Sequence, residues 1–315
     1  MKILMIGNKE SGKTTYMASS FGILENGQNG FYLKTDTSSN MWFKKVFETI
    51  KQGQYPELSD KRNNYQFELY HHQKKILDFE WIDYYGGVIL ESNVSKLTED
   101  IGSADGIILF LDAISLLENN NSVHQFRRIL GLITNKLTEI ESGLFSVIVV
   151  ITKADMVPNG SSLEQLYQPL SQFISSTDEN KNIYARIVPV SCTNRGFYNV
   201  ELPLLDMLDS GMKISYLTAI VEAKQYAETC MNYNKHRGIL DWTVSRLSGV
   251  ETNGELAEKY RRMAMEKIDL YESIEEPMER LSEYVKNYVI RLPWDSRKDA
   301  MLSTNTSGGR RLIEL

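Results

Sequence analysis

The stretch Gly7-Asn8-Lys9-Glu10-Ser11-Gly12-Lys13-Thr14 constrains this chain more than any other. Its spacing is G-x-x-x-x-G-K-[ST], and it falls between a short apolar run at 3–6 and a helix-like segment at 13–24. Phosphate oxygens need several backbone N–H groups converging on them, and glycines let a backbone curl that tightly. A helix opening at Lys13 adds its positive N-terminal end. Lys13 can then reach the outer phosphates of a nucleotide, and the Thr14 hydroxyl can ligate Mg²⁺. Gly7, Lys9, Glu10, Ser11, Gly12, Lys13, Thr14 and Thr15 are the expected phosphate-binding residues, with Lys13 also catalytic.

Further apolar runs at 65–70, 76–82, 107–112, 147–152 and 183–191 alternate with helix-like stretches at 122–141, 163–175 and 199–209. That alternation predicts an α/β fold with a mostly parallel sheet and helices on both faces. Residues 71–75 between the second and third runs are too few for a crossover, so those two strands should form an antiparallel hairpin. Residues 31–53 read as a short strand followed by a helix at 40–51. From about 213 strand signals fade and helical periodicity takes over. Tyr271, Ile274, Met278, Leu281, Val285 and Tyr288 form a seam in which Pro277 is expected to end one helix and begin another. The expected division is a nucleotide domain at 1–211, a helical extension at 212–294 and a flexible tail at 295–315.

Composition excludes several function classes. With 35 Lys+Arg against 41 Asp+Glu, the formal charge of −6 disfavours broad attraction to nucleic acid or anionic lipid. The two cysteines, Cys192 and Cys230, have neither disulfide-framework nor zinc spacing. The first apolar run is too short for a signal peptide, and no stretch reaches the ~18 apolar residues of a membrane span. A cytoplasmic, soluble protein is expected.

Three later motifs narrow the ligand. Asp83-Tyr84-Tyr85-Gly86 follows a predicted strand and has the form D-x-x-G; its aspartate would hold Mg²⁺ through a water, and the Gly86 N–H would meet a γ-phosphate. Thr152-Lys153-Ala154-Asp155 resembles the [NT]-K-x-D guanine-reading motif. A carboxylate there can accept from the N1–H and exocyclic amine of guanine, a donor pair that adenine lacks, while the Lys153 stem lies across the base. Ser191-Cys192-Thr193 ends the next predicted strand, where a Cys192 N–H would meet guanine O6 and Ser191 would orient Asp155.

Four elements in this order resemble the G domain of the Ras-like, TRAFAC-class P-loop GTPases, over roughly 1–211. The resemblance implies GTP and GDP as ligands with Mg²⁺, and GTP hydrolysis or exchange as a switch. A protein partner or activating factor follows from it; a homodimer stays open.

The sequence departs from that pattern in three places. The first-switch Mg²⁺ ligand, a threonine in most relatives, is assigned to Ser59, 24 residues before Asp83; Thr35 and Thr37, 48 and 46 residues before it, are rivals. The surplus chain, about 31–53, is then an insertion. Gly87 stands where many relatives carry a water-orienting glutamine, so slow hydrolysis is expected, or a non-catalytic scaffold. Lys9 stands where many keep glycine, and is either solvated, an obstacle to an arginine finger, or a cation near the γ-phosphate. His71-His72 reads as a polar hairpin turn.

Overall fold

The computed structural model describes residues 1–57, 62–84, 94–118, 121–138, 145–158, 166–171, 173, 175, 183–193, 195–236 and 251–287. The chain starts with β1 (Lys2–Gly7), α1 (Lys13–Leu24), β2 (Phe31–Thr35) and α2 (Thr37–Lys51). The hairpin β3 (Asn63–His71) and β4 (Lys74–Asp83) follows, then α3 (Val94–Gly102), β5 (Gly106–Asp112), α4 (Ala113–Glu118) and α5 (Asn121–Thr138). After these come β6 (Phe145–Thr152), β7 (Ile183–Pro189), β8 (Ser191–Thr193), β9 (Gly196–Tyr198), α6 (Leu202–Lys235) and α7 (Asn253–Asn287).

The central sheet has seven strands in the order β2-β3-β4-β1-β5-β6-β7. β3 runs antiparallel to both β2 and β4, and the remaining pairings are parallel. Parallel strands covered on both faces read as continuous apolar runs, and β6, FSVIVVIT, is buried at every position. Strand residues alternate between faces. Leu4, Ile82, Leu109 and Val149 enter one core cluster with Leu97 of α3 and Phe126 of α5. On the opposite face Tyr16 of α1 packs against Trp81 and Phe110, and Met207 of α6 lies against Gly106. The fold is α/β of the P-loop type, with helices on both faces and helices at the C-terminal end.

Local chemistry explains where elements differ from expectation. α2 begins at Thr37 rather than 40 because the Asp36 carboxylate accepts from the backbone N–H of Ser38 and Ser39, 3.0 Å each. The run at 183–191 is broken after Pro189: the Val190 N–H turns to the Ile151 carbonyl at 2.7 Å, and Ser191–Thr193 pairs with β9 in a separate two-stranded sheet. The helix expected at 199–209 starts at Leu202 and continues for 34 residues. Of 163–175, only part is described, and Gln168–Leu170 is a 3₁₀ turn. The break expected at Pro277 does not occur, since α7 runs through it. The lost hydrogen bond costs roughly 3 kcal/mol, which is offset by burial of Pro277 together with Ile274 and Leu281.

The chain divides into two compact units: Met1–Gly211 with Ser282–Leu315, and Met212–Leu281. In the second unit α6 and α7 pack antiparallel on each other. Buried Ala219, Ala223, Ala257 and Ala264 permit close approach. Tyr260 lies against Tyr226 and Tyr233, and Lys267 pairs with Glu222 at 2.6 Å. Thr252 and Glu255 form a capping box at the start of α7. Residues 282–287 thus group with the first unit rather than with the expected helical extension, and the expected tail lies outside the described residues. Among the described residues no helix is long and apolar enough to cross a membrane.

Candidate functional site

The glycine-bearing loop at 8–12 hangs between β1 and α1 at the carboxyl ends of the parallel strands. Gly7 admits no side chain, because a Cβ there would stand 2.7 Å from the Phe110 carbonyl oxygen and 2.8 Å from Ser11 Oγ. Gly12 takes φ +82°, the left-handed region where glycine is unstrained, and no side chain caps the helix that follows. The first-turn N–H groups of α1 are therefore without a side-chain acceptor. Ser11 Oγ donates to the Asn8 carbonyl at 2.8 Å and closes the loop on itself.

Lys13 is 7% exposed, and its ammonium donates to the carbonyls of Gly7 at 2.9 Å and Asn8 at 3.0 Å. Burial lowers its pKa to about 8, with the charge of Asp83 pulling the other way. Asp83, the last residue of β4, is 1% exposed, and among the described residues its Oδ1 has no hydrogen-bond partner. Burial raises its pKa to about 6 against the attraction of Lys13. A buried carboxylate oxygen without a partner among the described residues fits a cationic ligand. Mg²⁺ ordinarily takes one or two protein oxygens and completes its shell with phosphate and water. Thr14 and Asp83 match that donor set.

A cavity of about 320 Å³ is lined by Lys9, Glu10, Ser11, Gly12, Lys13, Thr14 and Thr15, and by Thr152, Lys153, Asp155 and Cys192. Two remote segments thus share one pocket, joined directly by Thr152 Oγ1 donating to the Ser11 carbonyl at 2.8 Å. At the far end Lys153 takes a left-handed φ of 55°, and the exposed Asp155 carboxylate accepts from Ser191 Oγ at 2.7 Å. The Ala154 N–H donates to the Val190 carbonyl at 3.1 Å, pinning this loop to the end of β7. The half-buried Cys192 thiol is pushed up to about 12, by burial first and then by Asp155, and is neutral at physiological pH.

Several expected residues lie elsewhere. Gly7, Asp83 and Ser191 are not among the residues that line the cavity; the Gly7 carbonyl accepts from Lys13 and Ser191 Oγ donates to Asp155. Ser59, Gly86 and Gly87 lie outside the described residues. The rivals to Ser59 do not line the cavity: Thr35 sits on β2 with its hydroxyl on the Gln66 carbonyl at 2.6 Å, and Thr37 opens α2.

Tyr55, Pro56, Glu57, Met156, Val190 and Thr193 line the cavity and were not anticipated. Tyr55 to Glu57 follow α2, and no local motif marks them. The Tyr55 phenol is raised by partial burial and then by Asp155, which places it at the carboxylate end.

No protein-family model matches the chain, and no curated protein matches it. Solved structures do resemble it. The signal recognition particle receptor SRb-GTP/SRX complex from Chaetomium thermophilum is 14% identical with a TM-score of 0.39, over 61% of this chain and 90% of that one. The Arl6 BBS3 small GTPase from Trypanosoma brucei, with the nucleotide analogue GppNp, is 12% identical with a TM-score of 0.40, over 68% and 98%. The S. cerevisiae Ski7 GTPase-like domain, bound to GDP and inorganic phosphate, is 16% identical with a TM-score of 0.41, over 61% of this chain and 43% of that one.

Proposed function

We propose that the protein is a guanine-nucleotide switch of the Ras-like kind, which binds GTP and GDP with Mg²⁺ and hydrolyses GTP slowly. The observation that carries this reading is the single cavity in which the phosphate loop meets Asp155, a carboxylate oriented by Ser191. Aimed at a base edge, that carboxylate favours a pair of adjacent donors, which guanine has and adenine lacks.

In the switch, the loop N–H groups and Lys13 hold the phosphates, and Lys13 exchanges its carbonyl partners for phosphate oxygens. Thr14, Asp83 and Ser59 hold the cation, which supplies charge neutralisation on the transferring phosphoryl group. The Gly86 N–H meets the γ-phosphate. Cys192 contributes its N–H to the base and Lys153 its stem. Water is the nucleophile, and the burial of Lys13 strengthens its stabilisation of the developing charge. No side chain at Gly87 orients that water, so turnover is slow until a protein partner supplies the missing group. Guanine nucleotide and that partner are the expected ligands, acting in the cytoplasm; self-association is a further route to the missing group.

Titration with GTP, GDP and ATP in Mg²⁺, with phosphate release followed in the same samples, tests this. Guanine selectivity with slow turnover is expected, turnover is lost in Lys13→Ala, and Asp155→Asn shifts acceptance towards xanthine nucleotides. Tighter binding of ATP overturns the reading. Gly87 favours a second one, a non-catalytic guanine-nucleotide scaffold, marked by selective binding with no phosphate release even in the presence of cell extract.

A further inference from the structure

Among the described residues none gives a hydrogen bond to the buried Oδ1 of Asp83. Its position therefore depends on the backbone on either side of it, and metal ligands must be held to within about 0.5 Å. Asp100, on α3, gathers two residues that border that backbone, Tyr84 and Arg62, together with Lys2. Its carboxylate accepts from the Tyr84 hydroxyl, and it pairs with Lys2 at 3.0 Å and Arg62 at 3.2 Å. The Arg62 guanidinium lies over the Tyr84 ring, 5.5 Å from its centroid.

These partners come from three adjacent chains of the sheet. Tyr84 directly follows Asp83, and its N–H donates to the Met5 carbonyl at 3.1 Å. Arg62 directly precedes Asn63, the partner of Asp83 on β3. Lys2 opens β1 opposite Glu80, three residues before Asp83, and Met5 of the same strand is the partner of Asp83 on the other side. Ile82 and Tyr84 both enter the cluster containing Leu97 and Ile101 of α3, whereas Asp83 between them does not. Alternation along an extended chain thus turns Asp83 towards Lys13 while Tyr84 is anchored on the opposite face.

Building on the guanine-nucleotide reading above, we propose that Asp100 is a positioning residue for the Mg²⁺-holding edge of the pocket. By gripping Tyr84 and Arg62 it sets the depth at which the Asp83 carboxylate stands below the phosphate loop. Asp100 touches neither ligand nor cation; it acts through Tyr84 on Asp83.

The test uses the full chain loaded with fluorescent GDP, as wild type, Asp100→Asn and Tyr84→Phe. Release is followed across a range of free Mg²⁺ and in EDTA, and melting of each protein is measured separately. Partners that orient metal ligands are typically worth 10- to 100-fold in metal affinity. The Mg²⁺ concentration for half-maximal retention should therefore rise about tenfold in both variants, with release in EDTA unchanged. The double variant should add little to either single one, as expected for residues acting through one contact. A lowered melting temperature with unchanged Mg²⁺ dependence, or equal acceleration in EDTA, overturns the positioning role. If Asp100→Asn does not fold, Tyr84→Phe, which removes only one oxygen, decides it. Wild-type protein that retains no guanine nucleotide overturns the guanine reading itself, a result visible before any variant is made.

Discussion

The bond from Ser191 Oγ to Asp155, 2.7 Å long, connects residues 36 apart in sequence and fixes which way the exposed carboxylate faces. A hydrogen bond to a charged group is worth roughly 1.5–3 kcal/mol. In Ser191→Ala the carboxylate rotates freely in solvent, and we expect GDP affinity to fall about tenfold with little change in folding stability, as read by calorimetric titration and urea denaturation. At this scale much of the site was legible. Phosphate cradles and base-reading carboxylates are encoded within eight or fewer consecutive residues, so their spacing is visible in the chain. The bond from Thr152 to the Ser11 carbonyl is different, because it spans 141 positions and no local pattern announces it. Nor does any pattern reveal that Lys13 and Asp83 are buried together, which is what shifts both their pKa values towards neutrality.

α1 occupies Lys13–Leu24, as expected, although no side chain caps it, whereas the start of α2 was missed by three residues because the Asp36 cap opens the helix ahead of its apolar pattern. The Asp36 carboxylate is held well below the usual carboxylate range, by hydrogen bonds from Ser38 and Ser39. A depressed folded pKa stabilises the folded state above the unfolded value of about 3.9, and that contribution is lost as pH falls below it. Asp36→Ala should therefore lower the urea midpoint at pH 7, and the gap from wild type should narrow steadily below about pH 4. A gap independent of pH would mean that the side chain, not its charge, holds the helix start. Prolines also depended on context. Pro189 ended a strand as its missing N–H dictates, but Pro277 did not end a helix, because burial around it outweighed one lost hydrogen bond.

For the molecule as a whole, the first unit is discontinuous in sequence: Met1–Gly211 is completed by residues from Ser282 onward. Ser282 Oγ donates to Asp209 Oδ1 at 2.5 Å, with both residues buried. Ser282→Ala should cost about 1–3 kcal/mol in chemical denaturation, and a chain cut after Gly211 should lose at least as much. A truncated chain as stable as the full one would show that the last turns of α7 contribute nothing to the first unit. Local sequence carried the class of fold, the order of its strands along the chain, and the two short motifs at 7–14 and 152–155 whose residues line one cavity, since each depends on spacing over a few residues and on alternation of apolar and polar positions. Folding settled the rest: β2 adding to the outer edge of the sheet beside β3, Tyr55 to Glu57 reaching the pocket, Asp100 gathering three chains beneath Asp83, and α7 completing the first unit. Those outcomes depend on which surfaces pack together, and packing joins residues whose separation along the chain carries no trace of their contact.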